Sequence, residues 1–159
     1  MKLARSTLAF TALVLASLAL ALPATAAQPV KHFPAGAGTP GGVAPPFSGA
    51  VQAGDTLYVA GTTDGADPAT GKAPVDATRG AQVVLDNIKR TVEGAGYTMD
   101  DLVWVQIFTS DLKYYADFNA VYRTYFKSSE MPARAFIGAG SLLGGARFEV
   151  MGVAVKAAK

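Results

Sequence analysis

The chain has 159 residues, about the length of one domain, and contains no cysteine and a single histidine, His32. Disulfides, a thiol nucleophile and thiolate metal sites are therefore excluded, and a histidine triad or a zinc site is disfavoured. Lys2 and Arg5 account for the whole excess of 14 basic over 12 acidic residues. The rest of the chain is neutral, so the sequence predicts no nucleic-acid partner and no metal.

The first 26 residues have the pattern of a secretory signal peptide. A basic start is followed by an apolar run over residues 7–22 and by small residues two apart, Ala24 and Ala26. The run is shorter than the roughly 20 residues that span a membrane, which disfavours the alternative of an uncleaved anchor. We predict cleavage near Ala26 or Ala27, a periplasmic or secreted mature protein, and no membrane contact after cleavage.

Residues 27–46 are rich in Gly, Pro and Ala and are predicted to form an extended lead-in segment. The folded domain is predicted to span residues 47–159. It begins with strands at 48–52 and 56–60, and the turn Ala53-Gly54-Asp55 between them favours a hairpin.

Two helices are predicted from apolar residues at helical spacing. The first begins at a cap, either Asp76 or Thr78, and runs to about Ala95, with Gly96 suited to the position just past its end. The second covers residues 114–126. Its predicted buried face consists of Tyr115, Phe118, Tyr122 and Phe126.

Further strands are predicted at 102–109, 133–139 and 147–155, where β-branched and aromatic residues are concentrated. The order is β-β-α-β-α-β-β, which predicts an α+β fold with one mixed sheet and two helices on one face. The last strand is apolar on both faces, with Phe148, Val150 and Ala154 on one and Met151, Val153 and Val155 on the other. Because two helices cover one face only, the pattern predicts another subunit on the second face. The alternative is a locally hydrophobic edge strand.

Motifs over residues 46–155 together resemble the RidA (YjgF-like) family of enamine/imine deaminases. The matching segments, in chain order, are Pro46-Phe47, Leu57-Tyr58-Val59-Ala60-Gly61, Asp67-Pro68-Ala69-Thr70-Gly71, Leu85-Asp86-Asn87-Ile88, Asp117-Phe118-Asn119-Ala120-Val121-Tyr122, Pro132-Ala133-Arg134 and Phe148-Glu149-Val150. The resemblance implies a chorismate-mutase-like subunit and a homotrimer with ligand clefts between subunits. It also implies that the protein uses no metal and no bound cofactor.

Arg134 is the first candidate for a catalytic site. The resemblance implies that it holds the substrate carboxylate, and a planar guanidinium can bind a carboxylate in bidentate fashion. The alternative is a structural ion pair with Asp or Glu. Glu149 is the second candidate, because a carboxylate on an apolar strand needs a partner or a raised pKa. The resemblance implies that it orients a water for attack on the imine carbon, and the alternative is a salt bridge to Arg147 or to a neighbouring subunit.

The resemblance implies that five further residues contact the substrate, namely Phe47, Ala60, Gly61, Asn119 and Phe136. Gly61 allows close approach of a ligand, and the alternative for Asn119 is a structural hydrogen bond to local backbone. Phe47 stands where the family has Tyr, and Phe136 stands where many members have a small or polar residue. Both changes make the surroundings of the predicted anion site more apolar.

The resemblance implies hydrolytic deamination of small 2-imino or enamine acids to 2-keto acids and ammonia. The alternative is a non-catalytic exported protein that binds small carboxylates or acts as a holdase. Retention of Arg134 and Glu149 favours the enzyme, whereas Phe47, Phe136 and the export signal favour the binding protein. Ribonuclease activity, a third class, is disfavoured by the neutral charge and by the absence of a histidine at the site.

Overall fold

A computed structural model describes residues 28–36 and 43–157. The predicted signal peptide and its cleavage site lie outside these residues. Within them, no helix has the length and apolar character needed to cross a bilayer. The strands are β1 Val30–Pro34, β2 Ser48–Ala53, β3 Thr56–Thr63, β4 Leu102–Thr109, β5 Ala133–Gly138 and β6 Phe148–Val155, and the helices are α1 Ala77–Gly94 and α2 Tyr115–Tyr122.

The strands form one mixed sheet in the order β1-β2-β3-β6-β4-β5. Strands β4 and β5 are parallel, and every other neighbouring pair is antiparallel. The predicted hairpin is confirmed, since β2 and β3 pair antiparallel across a turn in which Gly54 has φ of 60°. The α+β prediction of one mixed sheet and two helices is also confirmed.

Strand β1 lies within the predicted lead-in at residues 27–46, for which the sequence did not predict a strand of the sheet. It pairs antiparallel with β2 at the edge of the sheet, with Val30 opposite Ala53. Only Phe33 of its five residues is partly buried. Because the strand is held by backbone pairing rather than by an apolar face, it lacks the alternation that predicts a strand.

Helix α1 agrees with its sequence prediction at both ends. Asp76 is the N-cap, and its Oδ1 accepts a hydrogen bond from the Arg79 amide at 2.8 Å. Gly96 has φ of 82°, the left-handed conformation in which many helices end. The helix buries Ala81, Val84, Leu85, Ile88 and Val92 against the sheet and α2.

Helix α2 is shorter than predicted and has a narrower buried face. It is preceded by a 3-10 turn at Leu112–Tyr114 and ends at Tyr122. Beyond it the amide of Thr124 bonds the carbonyl of Val121, which also accepts from the Thr124 hydroxyl at 2.7 Å. This local side-chain bond competes with helix continuation. Tyr115, predicted to be buried, is 49% exposed.

The two faces of β6 differ as the alternation predicted. Phe148, Val150 and Ala154 are fully buried beneath the helices. On the other face Met151 and Val153 remain partly exposed. Neighbouring strands add Tyr58, 55% exposed, and Ile137, 42% exposed, to that same face. The sheet face that the helices leave open therefore carries several partly exposed apolar side chains.

An ion pair ties the loop before α1 to the helix. The carboxylate of Asp67 accepts hydrogen bonds from Arg79 Nε at 2.6 Å and from Arg79 Nη2 at 2.8 Å. These bonds, with one from the Ala69 amide, hold the pKa of Asp67 at about 2, below its ordinary value of 3.8.

We expect Asp67→Asn to lower the melting temperature at pH 7. Because the folded-state pKa of Asp67 is depressed, the stability that this carboxylate adds is full above its unfolded pKa and is lost as the pH falls through about 2. The difference in melting temperature between wild type and variant should therefore shrink between pH 4 and pH 2. Thermal unfolding followed by circular dichroism across this range tests it. A difference that stays constant with pH would contradict the assigned role of the charge.

Candidate active site

Arg134 lies on the edge strand β5, on the face that the helices cover. Its register partner is the buried Val105. The guanidinium carbon lies 4.7 Å from the ring centroid of Tyr122 and 5.8 Å from that of Tyr115, both on α2. Aromatic faces attract a guanidinium electrostatically and limit its rotation. The two rings therefore hold Arg134 in place without neutralising it.

Arg134 opens onto a cavity of about 210 Å³ between β5 and one side of α2. Asn119, also predicted for the site, lines the same cavity. The remaining lining residues, which the sequence interpretation missed, are Tyr115, Tyr122, Arg123, Met131 and Pro132. Tyr115, Tyr122 and Arg123 lie three or four residues from Asn119, so all three lie on the side of α2 that carries Asn119. That spacing from Asn119 was the signal that could have found them.

Tyr122 contributes a buried hydroxyl beside Arg134. The residue is 4% exposed, and its hydroxyl has no hydrogen-bond partner among the described residues. Burial raises the pKa of Tyr122 to about 12, although the charge of Arg134 acts in the opposite direction. The phenol is therefore neutral at pH 7 and is able to donate a hydrogen bond.

Glu149 lies on the open face of the sheet, opposite the helices. Its register partners are Thr63 on β3 and Phe108 on β4. Among the described residues it forms no ion pair, and Arg147 instead donates from Nη1 to the Pro74 carbonyl at 2.9 Å. The predicted alternative of a Glu149–Arg147 salt bridge is therefore not observed within the subunit.

Gly61 and Glu149 are packed closely against each other. A Cβ at residue 61 would lie 3.2 Å from Glu149 Cδ and would meet Oε1 still more closely. Glycine is thus required sterically for the carboxylate to hold this position. Phe47, Ala60 and Gly61 line a second cavity of about 590 Å³ together with Glu149. Phe47 is 57% exposed there.

The predicted site residues therefore form two separate groups in one subunit. Val105 pairs with Arg134 and Phe108 pairs with Glu149. These two β4 residues are an odd number of positions apart, so their side chains, and those of their partners, point to opposite faces. Arg134 and Asn119 line one cavity, and Glu149, Gly61, Ala60 and Phe47 line the other.

Phe136 lines neither cavity. Its ring packs edge-on against Tyr115 at 5.1 Å and Phe118 at 5.5 Å between centroids. It lies 5.9 Å from the guanidinium carbon of Arg134. Phe136 therefore borders the Arg134 cavity from the core side. Within residues 28–36 and 43–157, no cluster of three or more His, Asp or Glu side chains is placed to hold a metal ion.

Residues 41–156 match the family model described as endoribonuclease L-PSP. The chain belongs to this family. Two relatives named 2-iminobutanoate/2-iminopropanoate deaminase are similar to it. The mouse protein is 32% identical over 70% of this chain and 82% of its own length, and the Escherichia coli K12 protein is 31% identical over 70% and 88%. A RutC family protein of Sulfurisphaera tokodaii is 37% identical over 66% and 83%.

Solved structures of L-PSP family members show the same fold. The YjgF gene product of Escherichia coli matches with a TM-score of 0.64 and 30% identity, over 70% of this chain and 89% of that one. Yeast Mmf1 matches with a TM-score of 0.70 and 26% identity, over 81% and 100%. The resemblance to the RidA (YjgF-like) family is thereby confirmed. Strand β1 precedes the residues that the family model matches.

Proposed function

We propose that the protein hydrolyses small 2-imino acids, or their enamine tautomers, to 2-keto acids and ammonia. The observation that carries this proposal is Arg134, a guanidinium held by aromatic rings at a cavity and free of ion pairs among the described residues. Such a group is available to a carboxylate ligand. Two relatives whose names specify imine deamination support the choice of reaction.

The active site is completed by a second copy of the chain. Arg134 and Glu149 face opposite sides of one sheet, so one subunit does not bring them to a single small substrate. The open apolar face around Tyr58, Ile137 and Met151 is a surface suited to burial by another subunit. We therefore propose a homotrimer in which Arg134 and Asn119 of one subunit face Glu149 and Gly61 of the next.

In this arrangement Arg134 fixes the substrate carboxylate and leaves the imine carbon near the neighbouring Glu149. Glu149 orients a water and accepts one of its protons as the oxygen attacks that carbon. The substrate reacts as its N-protonated iminium form, so the attack gives a neutral carbinolamine. Glu149 then returns the proton to the nitrogen, and the C–N bond breaks as the hydroxyl oxygen forms the keto C=O and releases its proton to Glu149. One water is consumed, and one keto acid and one ammonia are produced. Phe47 and Phe136 provide apolar surroundings on the two sides of the cleft.

Two observations disfavour the ribonuclease activity in the family's description. The sole histidine, His32, lies on edge strand β1, where Nδ1 is 3.0 Å from Ser48 Oγ, and it lines neither cavity. The chain also has equal numbers of basic and acidic residues once Lys2 and Arg5 are set aside. We further propose that the mature protein acts outside the cytoplasm, on imines formed by exported oxidases.

Mixing two inactive variants tests both the chemistry and the composite site. Arg134→Gln and Glu149→Gln proteins are each assayed for keto-acid release from an imine generated by an amino-acid oxidase. They are then unfolded together in equal amounts, refolded and assayed again. In mixed oligomers about a quarter of the interfaces should join an intact Arg134 to an intact Glu149, so about a quarter of wild-type activity should return.

A site contained within one subunit would give no recovery, because every chain in the mixture carries one defect. Each variant refolded alone serves as the matched control. If wild-type protein itself fails to accelerate keto-acid release for several side-chain types, the deaminase proposal is wrong and the carboxylate-binding alternative replaces it.

A further inference from the structure

A second arginine lines the Arg134 cavity. Arg123 follows directly after α2, one helical turn beyond Asn119, and borders the same 210 Å³ space. Its amide bonds the Asn119 carbonyl at 3.2 Å, which fixes its backbone to the helix that carries the rest of the wall. The cavity therefore has two cationic groups on different elements, Arg134 on β5 and Arg123 at the end of α2.

Neither guanidinium is neutralised within the described residues. The ion pairs found there involve Arg79, Lys89, Lys113 and Lys127, and no side-chain hydrogen bond from Arg123 or Arg134 is present. The other lining groups are the rings of Tyr115 and Tyr122, the Asn119 amide, Met131 and Pro132. Among the residues that the structure describes, none with a carboxylate side chain lines the cavity. Two like charges beside one small space repel each other, and the repulsion is relieved by an anion placed between them.

A ligand with one negative charge satisfies only one of the two guanidiniums. A ligand with two carboxylates can pair with both, each as a charge-assisted hydrogen bond. The volume corresponds to about seven water molecules at roughly 30 Å³ each, which limits the enclosed part of the ligand to a short chain.

We propose that this cavity selects small dicarboxylates, with Arg134 holding the carboxylate next to the reacting carbon and Arg123 holding the distal one. The proposal rests on the proposed function, since it assumes Arg134 as the carboxylate ligand. It makes Arg123 a specificity-determining residue, and it names 2-imino dicarboxylic acids as the preferred substrate class over 2-imino acids with uncharged side chains.

Isothermal titration calorimetry with matched probes tests the charge requirement directly. Succinate and butanoate share a four-carbon chain and differ in the second carboxylate. Wild type should bind succinate about tenfold or more tightly than butanoate, as expected for an added hydrogen bond between charged groups. Arg123→Gln should remove this preference and leave butanoate affinity within about twofold, and Arg134→Gln should weaken both probes. Lys72→Gln removes an exposed cation from the loop before α1 and should change neither affinity.

Equal binding of the two probes by wild type, or an unchanged succinate preference in Arg123→Gln, would overturn the proposal. Light scattering is recorded for each variant. If Arg123→Gln dissociates the oligomer, Arg123→Lys is used, which keeps the charge. If the Arg123→Lys oligomer is intact and shows no succinate preference, the proposal is contradicted. The positive charge at residue 123 then contributes to assembly of the oligomer and not to ligand binding.

A kinetic comparison separates this inference from the deaminase proposal. Imines generated from aspartate and from 2-aminobutanoate have four-carbon skeletons and differ in the distal carboxylate. Faster turnover of the aspartate imine that depends on Arg123 supports both proposals. Acceleration of both imines with no dependence on Arg123 leaves the deaminase standing and overturns the dicarboxylate preference. A calorimetric succinate preference without any turnover removes the deaminase and retains the dicarboxylate site.

Discussion

Arg134→Ala is expected to lower kcat/KM for imine hydrolysis by about 100-fold or more. Truncating one member of a hydrogen-bonded charge pair at a binding site costs about 2–5 kcal/mol, and each 1.4 kcal/mol is a factor of ten. Arg134 also contacts the rings of Tyr122 and Tyr115, and loss of these contacts should cost only about 0.5–1 kcal/mol of stability. The variant should therefore stay folded and assembled. Steady-state keto-acid release measures the effect, with the residual uncatalysed rate subtracted.

Arg134→Lys is the informative companion of this variant. It keeps the positive charge and loses the planar fork, so an intermediate loss is expected if bidentate carboxylate binding matters. Light scattering and thermal unfolding provide the structural control for both variants. If Arg134→Ala unfolds or dissociates the protein, Arg134 has the structural role that the sequence left open as an alternative.

Glu149→Gln is expected to lower kcat by about 100- to 10,000-fold, the range typical of losing a general base. Glutamine has nearly the same shape as glutamate, so the close contact with Gly61 is retained while the proton acceptor is lost. Affinity for a non-reacting carboxylate such as butanoate should stay within about twofold, because Arg134 provides that interaction. A lowered kcat with an unchanged affinity for butanoate distinguishes a catalytic role of Glu149 from a structural one.

Glu93→Gln is the matched control for this variant. Glu93 is an exposed carboxylate on α1, 3.9 Å from Lys89 Nζ, and it lines neither of the two cavities that hold the predicted site residues. It should leave kcat unchanged. Unaltered turnover in Glu149→Gln would show that Glu149 does not activate the water. If Glu149→Gln and Glu93→Gln lower kcat to the same extent, the loss is an effect of the changed net charge.

The Arg134 and Glu149 variants also distinguish the deaminase from the alternative, a carboxylate-binding protein without catalytic activity. A protein that only binds small carboxylates would lose affinity in Arg134→Ala and would show no turnover for Glu149→Gln to reduce. The apolar rings of Phe47 and Phe136, which the sequence predicts at the substrate site, would then be the first candidates for the cause of inactivity. Phe136 packs against Phe118 in the core, whereas Phe47 is exposed in the Glu149 cavity. Phe47→Tyr is thus expected to disrupt packing less than a substitution of Phe136 would.

Local patterns drew attention to the two charged candidates because each lies on a strand of otherwise apolar residues, and the family resemblance implied their roles. Arg134 is flanked by Ala133 and Ala135, and Glu149 by Phe148 and Val150. The same patterns could not assign them to a common site. Whether Arg134 and Glu149 share a face of the sheet depends on which residues of β4 pair with β5 and which pair with β6. These strand pairs join residues more than 25 positions apart in the chain. A shift of one residue would reverse the face on which each side chain lies.

The composition of the Arg134 cavity was only partly predictable for a related reason. Asn119 was found through the family resemblance, and Arg123 was missed although it is four residues further along the same helix face. An arginine near a helix end is usually a solvated charge. Arg123 is recognised as a cavity residue only in the tertiary structure, where β5 lies beside α2 and Arg134 lines the same cavity.

By itself the sequence determined the secondary elements that carry a strong apolar period, the start of α1 at Asp76 or Thr78, the turn at Gly54 and the apolar character of both faces of β6. These features depend on hydrogen bonds and alternation among residues close in the chain. Only the tertiary structure decided that β1 joins the sheet, that α2 stops at Tyr122, and that Arg134 and Glu149 lie on opposite faces. The first and the last depend on pairing between distant segments, whose free energy is not expressed in local periodicity. The end of α2 depends on the Thr124 hydrogen bonds to Val121, which apolar periodicity does not express either.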